Sequence, residues 1–339
     1  MSAFERYPRS DELPGKIFGS YKLDTQPHHH ITPNRFNHNS QLYPATNIST
    51  QQRVMIKFDT SVAALSPETY GQNLKKEHEI LTRANHPNIP HAYDVIEGPI
   101  FDLDQRKYCG LAMQLIDGTS LEEIMDFCHE STTSPNLPNI FEKLEAIADA
   151  LSYAHTHLGV VYEDLKPGNI LIETSTQSPY LIDWETVEEI GKDPTMITGT
   201  MRYFSPEKAK EFFESRLQIS RTGKKYLPTP AGDVFSLGVL CYELLSGEWP
   251  FNTKRGYKYD EMNVLEKLDQ IKNEPHQRLS NSQNLQSQLS AEALLELDNI
   301  FVRALDKNPS TRLNDPRQLV SSILETITKH NIHVLNYSK

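Results

Sequence analysis

Cysteine is nearly absent from this 339-residue chain, which holds only Cys109, Cys128 and Cys241. Three scattered thiols exclude a disulfide framework and a thiolate zinc site, and they are expected as buried thiols of a reducing compartment. Long hydrophobic runs are missing as well. No apolar stretch approaches the roughly 20 residues of a membrane span. Residues 1–15 are polar and carry acids, unlike a secretory signal. There is no surplus of positive charge: 34 lysines and arginines face 45 acids, for a net charge of −11. That balance argues against a nucleic-acid or anionic-membrane partner, since either demands a basic surface. With 37% hydrophobic and 23% charged residues, the composition is that of a soluble cytoplasmic enzyme or binding protein, long enough for two cores or one large domain.

Side chains with chemistry to offer gather in residues 161–185. Asp164, Lys166, Asn169 and Asp183 are separated there by apolar, strand-like runs. Residues 169–173 and 180–184 read as two short strands joined by the polar turn 174–179. Such a hairpin brings Asn169 and Asp183 to one end, where two oxygen ligands can share a hard cation such as Mg²⁺. Asp164 and Lys166 lie just before the first strand, in reach of a hydroxyl and a phosphoryl group. The stretch resembles the protein kinase family, whose catalytic loop reads H-R-D-x-K-x-x-N and whose metal loop reads D-F-G.

The rest of the chain supplies companions in the expected order. Residues 1–18 read as a loose leader and residues 21–39 as a long loop. The adjacent His28, His29 and His30 in that loop lack the spacing of a metal site. Residues 42–47 and 53–58 read as strands, and Val54-Met55-Ile56-Lys57 resembles the family strand whose lysine holds the ATP phosphates. A helix over residues 70–84 follows, with Leu74, Glu77, Ile80, Leu81 and Ala84 on one face. By the resemblance, Glu77 is the carboxylate that pairs with Lys57, with Glu79 on another face. Strands at 91–97 and 108–115 complete a small antiparallel sheet. Leu111-Ala112-Met113-Gln114-Leu115-Ile116-Asp117-Gly118 resembles the hinge of the family, where backbone groups of Gln114 and Ile116 bond adenine and Met113 flanks the pocket. The implied fold is α+β and bilobal: a small antiparallel-sheet lobe over 19–117 and a larger helical lobe over 118–339.

In the larger lobe, helices are expected at 121–127, 141–157, 262–272 and 291–304. A further helix, capped by Asp233 and apolar nearly all round, runs to about residue 246. Gly199-Thr200-Met201-Arg202-Tyr203-Phe204-Ser205-Pro206-Glu207 resembles the end of a kinase activation segment, and Arg312 matches the arginine that pairs with its glutamate. Residues 212–230 read as a basic, proline-containing insertion.

Three parts depart from the family pattern. The phosphate-loop glycines are replaced by Arg35, Asn37 and Ser40, although Asn tolerates the positive φ such a loop requires. The catalytic loop has Tyr162-Glu163 in place of His-Arg. In kinases that carry it, this arginine meets a phosphorylated activation segment; a glutamate would repel that phosphate. The metal loop reads Asp183-Trp184-Glu185, with a carboxylate where glycine gives the loop freedom. The resemblance implies a Ser/Thr protein kinase using ATP with Mg²⁺ or Mn²⁺. Asp164 is its base and Lys166 neutralises the transferred group. Lys57 and Glu77 serve the phosphates, Asn37 and Ser40 lie in the phosphate loop, and Asn169 and Asp183 hold the metal. The alternatives are a catalytically silent pseudokinase scaffold and a small-molecule kinase. A protein substrate is expected, with no oligomeric state implied. Asn, Gln and His usage is compatible with a bacterial protein, including one delivered into a host cell.

Overall fold

The computed structural model describes residues 13–25, 40–59, 71–101, 103, 107–131, 136–194, 197–216, 226–251 and 262–335. The chain divides into two compact units, one of residues 1–119 with 171–185, the other of residues 120–170 with 186–339.

The first unit is built on β1 (Ile17–Phe18), β2 (Tyr21–Leu23), β3 (Ser40–Asn47), β4 (Arg53–Asp59), α1 (Gln72–Arg83), β5 (Ala92–Gly98), β6 (Ile100–Phe101) and β7 (Tyr108–Gln114). The strands form one antiparallel sheet in the order β5-β7-β4-β3-β2-β1-β6. Central β4 is buried at every residue but its first. Its alternation sends Val54, Ile56 and Phe58 into the apolar core with Phe18, Tyr43 and Tyr108. The intervening Lys57 bonds to Glu77 of α1. Helix α1 follows Gly71 at φ 76°, whose N–H donates to Asp59 Oδ2 at 2.8 Å. Leu74, Glu77, Ile80 and Leu81 form its buried stripe, while Glu79 is exposed.

Residues 13–18, expected as part of a loose leader, instead bring Leu13 and Phe18 into this core, where the Phe18 and Phe58 rings lie 5.2 Å apart. Within the expected loop 21–39, Tyr21–Leu23 is a strand paired with β3. Strands of two and three residues are too short to show an alternating pattern in sequence. The histidines 28–30 and the candidate phosphate-loop residues Arg35 and Asn37 lie outside the described residues. Ser40 opens β3 opposite Asp59.

Short strands follow: β8 (Gly118–Ser120), β9 (Val160–Val161), β10 (Ile170–Glu173), β11 (Pro179–Leu181) and β12 (Glu188–Glu189). β8, β10 and β11 form one small sheet, and β9 pairs with β12. The expected second strand of the hairpin thus ends at Leu181 rather than residue 184. Asp183 has φ 64°, a left-handed angle that no strand accepts, so residues 182–185 leave the sheet. Gly118 shows why this corner needs glycine: an added Cβ would sit 2.2 Å from the carbonyl oxygen of Ile172. Gly118→Ala is expected to cost about 1–3 kcal/mol through forced backbone movement. An unchanged urea midpoint would contradict that.

The second unit holds α2 (Leu121–Ser131), α3 (Leu137–Tyr153), α4 (Pro206–Arg216), α5 (Pro230–Ser246), α6 (Val264–Asn273), α7 (Gln283–Gln286), α8 (Ala291–Ala304) and α9 (Pro316–Lys329). Helix α5 is buried from Ala231 through Leu245, as its all-round apolar sequence implies, and packs against α8 and α9. Its cap is Thr229, with Pro230 in the first turn, so Asp233 is not the cap expected from the sequence. Proline needs no N–H partner there, and the carboxylate of Asp233 is committed elsewhere. The stretch read as an insertion over 212–230 is also partly core. Phe212 stands edge-on to Phe204, and Tyr226 is buried; residues 217–225 lie outside the described residues.

Candidate active site

In the first unit, β4 and α1 aim oppositely charged side chains at each other. Lys57 Nζ lies 2.8 Å from Glu77 Oε2, 2.6 Å from Asp183 Oδ1 and 3.1 Å from Glu185 Oε2. Oxygens of the three acids lie within 4.8 Å of one another. Burial alone would push the Lys57 ammonium down, but Asp183, Glu77 and Glu185 together hold its pKa well above the ordinary lysine value. Burial pushes the Glu77 carboxyl up to about 7; Lys57 offsets part of the rise, and Asp183 and Glu185 add to it. Trp184, fully buried, donates its backbone N–H to Glu77 Oε1 at 3.0 Å and its indole N–H to Leu181 O at 2.8 Å. The indole is thus buried with its one side-chain polar atom satisfied.

The hinge candidates lie at the end of β7 and just beyond. Met113 and Gln114 are half-buried and Ile116 is buried. The N–H of Gln114 donates to His91 O at 2.8 Å, so that group is committed to the protein.

In the second unit, Asp164 is the focus of converging donors. Lys166 Nζ reaches its Oδ2 at 2.9 Å, and the Thr200 N–H reaches its Oδ1 at 2.7 Å. The Asn169 amide nitrogen donates to the Asp164 carbonyl at 2.9 Å. Lys166 also bonds Thr200 Oγ1 at 3.1 Å. Thr200 therefore joins the end of the activation-type segment to both the candidate base and its lysine. The loop is suspended from Asp233, which accepts the Tyr162 N–H at 2.8 Å and the Glu163 N–H at 2.9 Å and lies 2.8 Å from His155 Nε2. His155 escaped the sequence reading because nothing local distinguishes it from the neighbouring His157.

Behind this loop, Arg312 grips Glu207 with two bonds of 2.8 and 2.9 Å. It also donates to the carbonyls of Ala231 and Asp306 and lies over the Phe235 ring at 4.9 Å.

Residues 38–327 match the model of the protein kinase domain. The chain belongs to the protein kinase family. It is 30% identical over 215 residues to the serine/threonine-protein kinase PknA of Mycobacterium tuberculosis, an alignment covering 62% of this chain and 44% of that protein. It is 26% identical over 296 residues to the serine/threonine-protein kinase PknB of Mycobacterium leprae, covering 84% of this chain and 40% of that one. PknB of Mycolicibacterium smegmatis matches at 25% over 295 residues with the same coverage. The chain thus spans less than half the length of the curated relatives it matches. Its α+β class, with a sheet-rich first unit and a helical second, is that of the family. Among the described residues no helix is long and apolar enough to cross a membrane.

Proposed function

We propose that the chain transfers the γ-phosphoryl group of ATP to serine or threonine hydroxyls of a protein substrate. The observation that carries this reading is the Asp164 cluster, whose carboxylate is oriented from both sides by Lys166 and the Thr200 N–H. Phosphoryl transfer asks mainly for positioning and charge neutralisation. Asp164 orients the acceptor hydroxyl and takes its proton. Lys166 neutralises charge on the transferred group, and Thr200 keeps lysine and base in register, an arrangement suited to Ser/Thr acceptors. Lys57, steadied by Glu77, holds the ATP phosphates, and the hinge residues Met113, Gln114 and Ile116 receive the adenine. The carboxylate oxygens around Lys57 are hard donors that fit Mg²⁺ or Mn²⁺, and Asp183 and Asn169 are the assigned ligands. When bound, the cation neutralises phosphate charge. Asn37 and Ser40 belong to the candidate phosphate loop. The substrate is a protein rather than a nucleic acid, and the cytoplasm is the compartment that suits cysteines kept reduced.

A second reading, a pseudokinase scaffold, draws on Glu185: with Asp183 and Glu77 it engages the ammonium that ATP would need. Nucleotide binding separates the two. A ligand at 100 times its dissociation constant stabilises the folded state by about 2.7 kcal/mol, raising Tm by roughly 5 °C for a unit of this size. That rise is expected with ATP plus Mg²⁺ or Mn²⁺, with much less in a chelator and little in Asp183→Ala. No shift under any metal condition would favour the scaffold.

A further inference from the structure

Glu163 stands beside the candidate base, and three things about it are unusual. Its φ is 71°, a left-handed angle uncommon for any residue but glycine and sustained only where the surroundings over-determine it. It is acidic and almost fully buried, its side chain 6% exposed. It is also satisfied at every polar atom the backbone and side chain offer. Its N–H donates to Asp233 Oδ1 at 2.9 Å. Its carbonyl accepts from Lys208 Nζ at 2.6 Å. Its carboxylate meets the same ammonium at 2.8 Å through Oε2 and accepts from the Tyr226 hydroxyl at 2.7 Å through Oε1.

Lys208 belongs to the first turn of α4, directly after Ser205-Pro206-Glu207, and its side chain is 5% exposed. Besides gripping Glu163 twice, its ammonium lies 4.8 Å from the centre of the Phe204 ring, and its backbone N–H reaches Ser205 Oγ at 3.4 Å. The segment ending in these residues also carries Thr200, whose N–H holds Asp164. Burial and the adjoining Glu163 keep the Tyr226 phenol protonated well above the ordinary range, so it remains a donor to the carboxylate. A buried ion pair of this kind adds little net stability over apolar side chains of the same volume. Its geometry, by contrast, ties one defined loop to one defined segment.

We propose that Lys208 is an internal substitute for activation-segment phosphorylation: clamped by Glu163 and assisted by Tyr226, it fixes the loop bearing Asp164 to the segment bearing Thr200. The polarity is inverted relative to kinases in which a loop arginine receives a phosphate, for here the loop supplies the anion and the segment the cation. Lys208 and Tyr226 act as positioning residues through Glu163 and touch neither nucleotide nor acceptor. The catalytic consequence rests on the kinase reading; the physical tie between loop and segment does not.

The test uses the full chain with Lys208→Met, Lys208→Arg and Tyr226→Phe, following both phosphoryl transfer and amide hydrogen exchange at Glu163 and Thr200. Lys208→Met is expected to lower kcat about tenfold or more with the ATP KM within about twofold, and to speed exchange at both amides. Lys208→Arg is expected to recover most of the activity, and Tyr226→Phe to fall between. Phosphatase treatment, or replacing both threonines that precede Gly199 and could accept a phosphate, Thr195→Ala with Thr198→Ala, is expected to leave wild-type activity in place. The proposal is overturned if Lys208→Met merely melts earlier, with kcat and both exchange rates unchanged. A tenfold loss on phosphatase treatment also overturns it. If wild type transfers no phosphate, faster exchange in Lys208→Met keeps the tie and discards the kinase reading, whereas unchanged exchange discards the tie. Should Lys208→Met fail to fold, Tyr226→Phe decides by the same readouts.

Discussion

Asp164→Asn is expected to lower phosphoryl transfer by roughly 10²–10⁴-fold, the range associated with losing a positioned general base, while the protein unfolds at nearly its normal temperature. The substitution keeps the side-chain shape, and an oxygen remains to accept the 2.7 Å bond from the Thr200 N–H. What disappears is the negative charge that holds Lys166 and the basicity that takes the acceptor proton. Label from γ-labelled ATP should appear on serine and threonine of a generic protein substrate with wild type and be nearly absent with the variant. Full activity in Asp164→Asn would end the kinase reading. Label mainly on tyrosine would leave phosphoryl transfer standing but remove the acceptor assignment built on Lys166 and Thr200.

Arg312→Ala is expected to be the most destabilising single change in the second unit. The Arg312 side chain is fully buried while that of Glu207 is 19% exposed, so losing the guanidinium is expected to cost about 3 kcal/mol, the lower end of the range for a buried ion pair that loses one partner. Here Glu207 would lose two bonds at once, and the carbonyls of Ala231 and Asp306 would each lose a donor. The lost stacking over Phe235 adds to the deficit. A drop in Tm of roughly 10 °C is expected at the usual 2–4 °C per kcal/mol for a unit of this size. Arg312→Lys should recover only part of it, since an ammonium cannot reproduce the two-pronged grip. A melt within about 2 °C of wild type for Arg312→Ala would show that the pair is not a structural anchor.

Much of the fold was legible because its signals are local. The apolar run within residues 53–58 and the helical stripe in 70–84 each follow from one short window of sequence, whereas the pairing of Lys57 with Glu77 was legible only through family resemblance. The segment 199–207 and the later Arg312 were legible as partners only through family resemblance, yet their ion pair is present. Other features left no local trace. Ile17–Phe18 and Tyr21–Leu23 are too short for a period to register, and their burial depends on β3 and β6 arriving beside them. Asp233 read as a helix cap because it opens an apolar run, but Pro230 starts the helix earlier and releases the carboxylate to hold the catalytic-type loop.

With the class of fold implied by the family resemblance, the sequence by itself determined the longer strands and helices in their order and which side chains carry charge into the candidate site. Those properties depend on periodicity, propensity and the chemical identity of residues close together in the chain. Only the tertiary structure decided the partners: Glu185 turned onto Lys57 by the left-handed Asp183, and Glu163 closed by Lys208 from 45 residues away. Buried charge must find a counterion wherever the packed chain provides one, and that choice is made by the geometry of packing rather than by any pattern along the sequence.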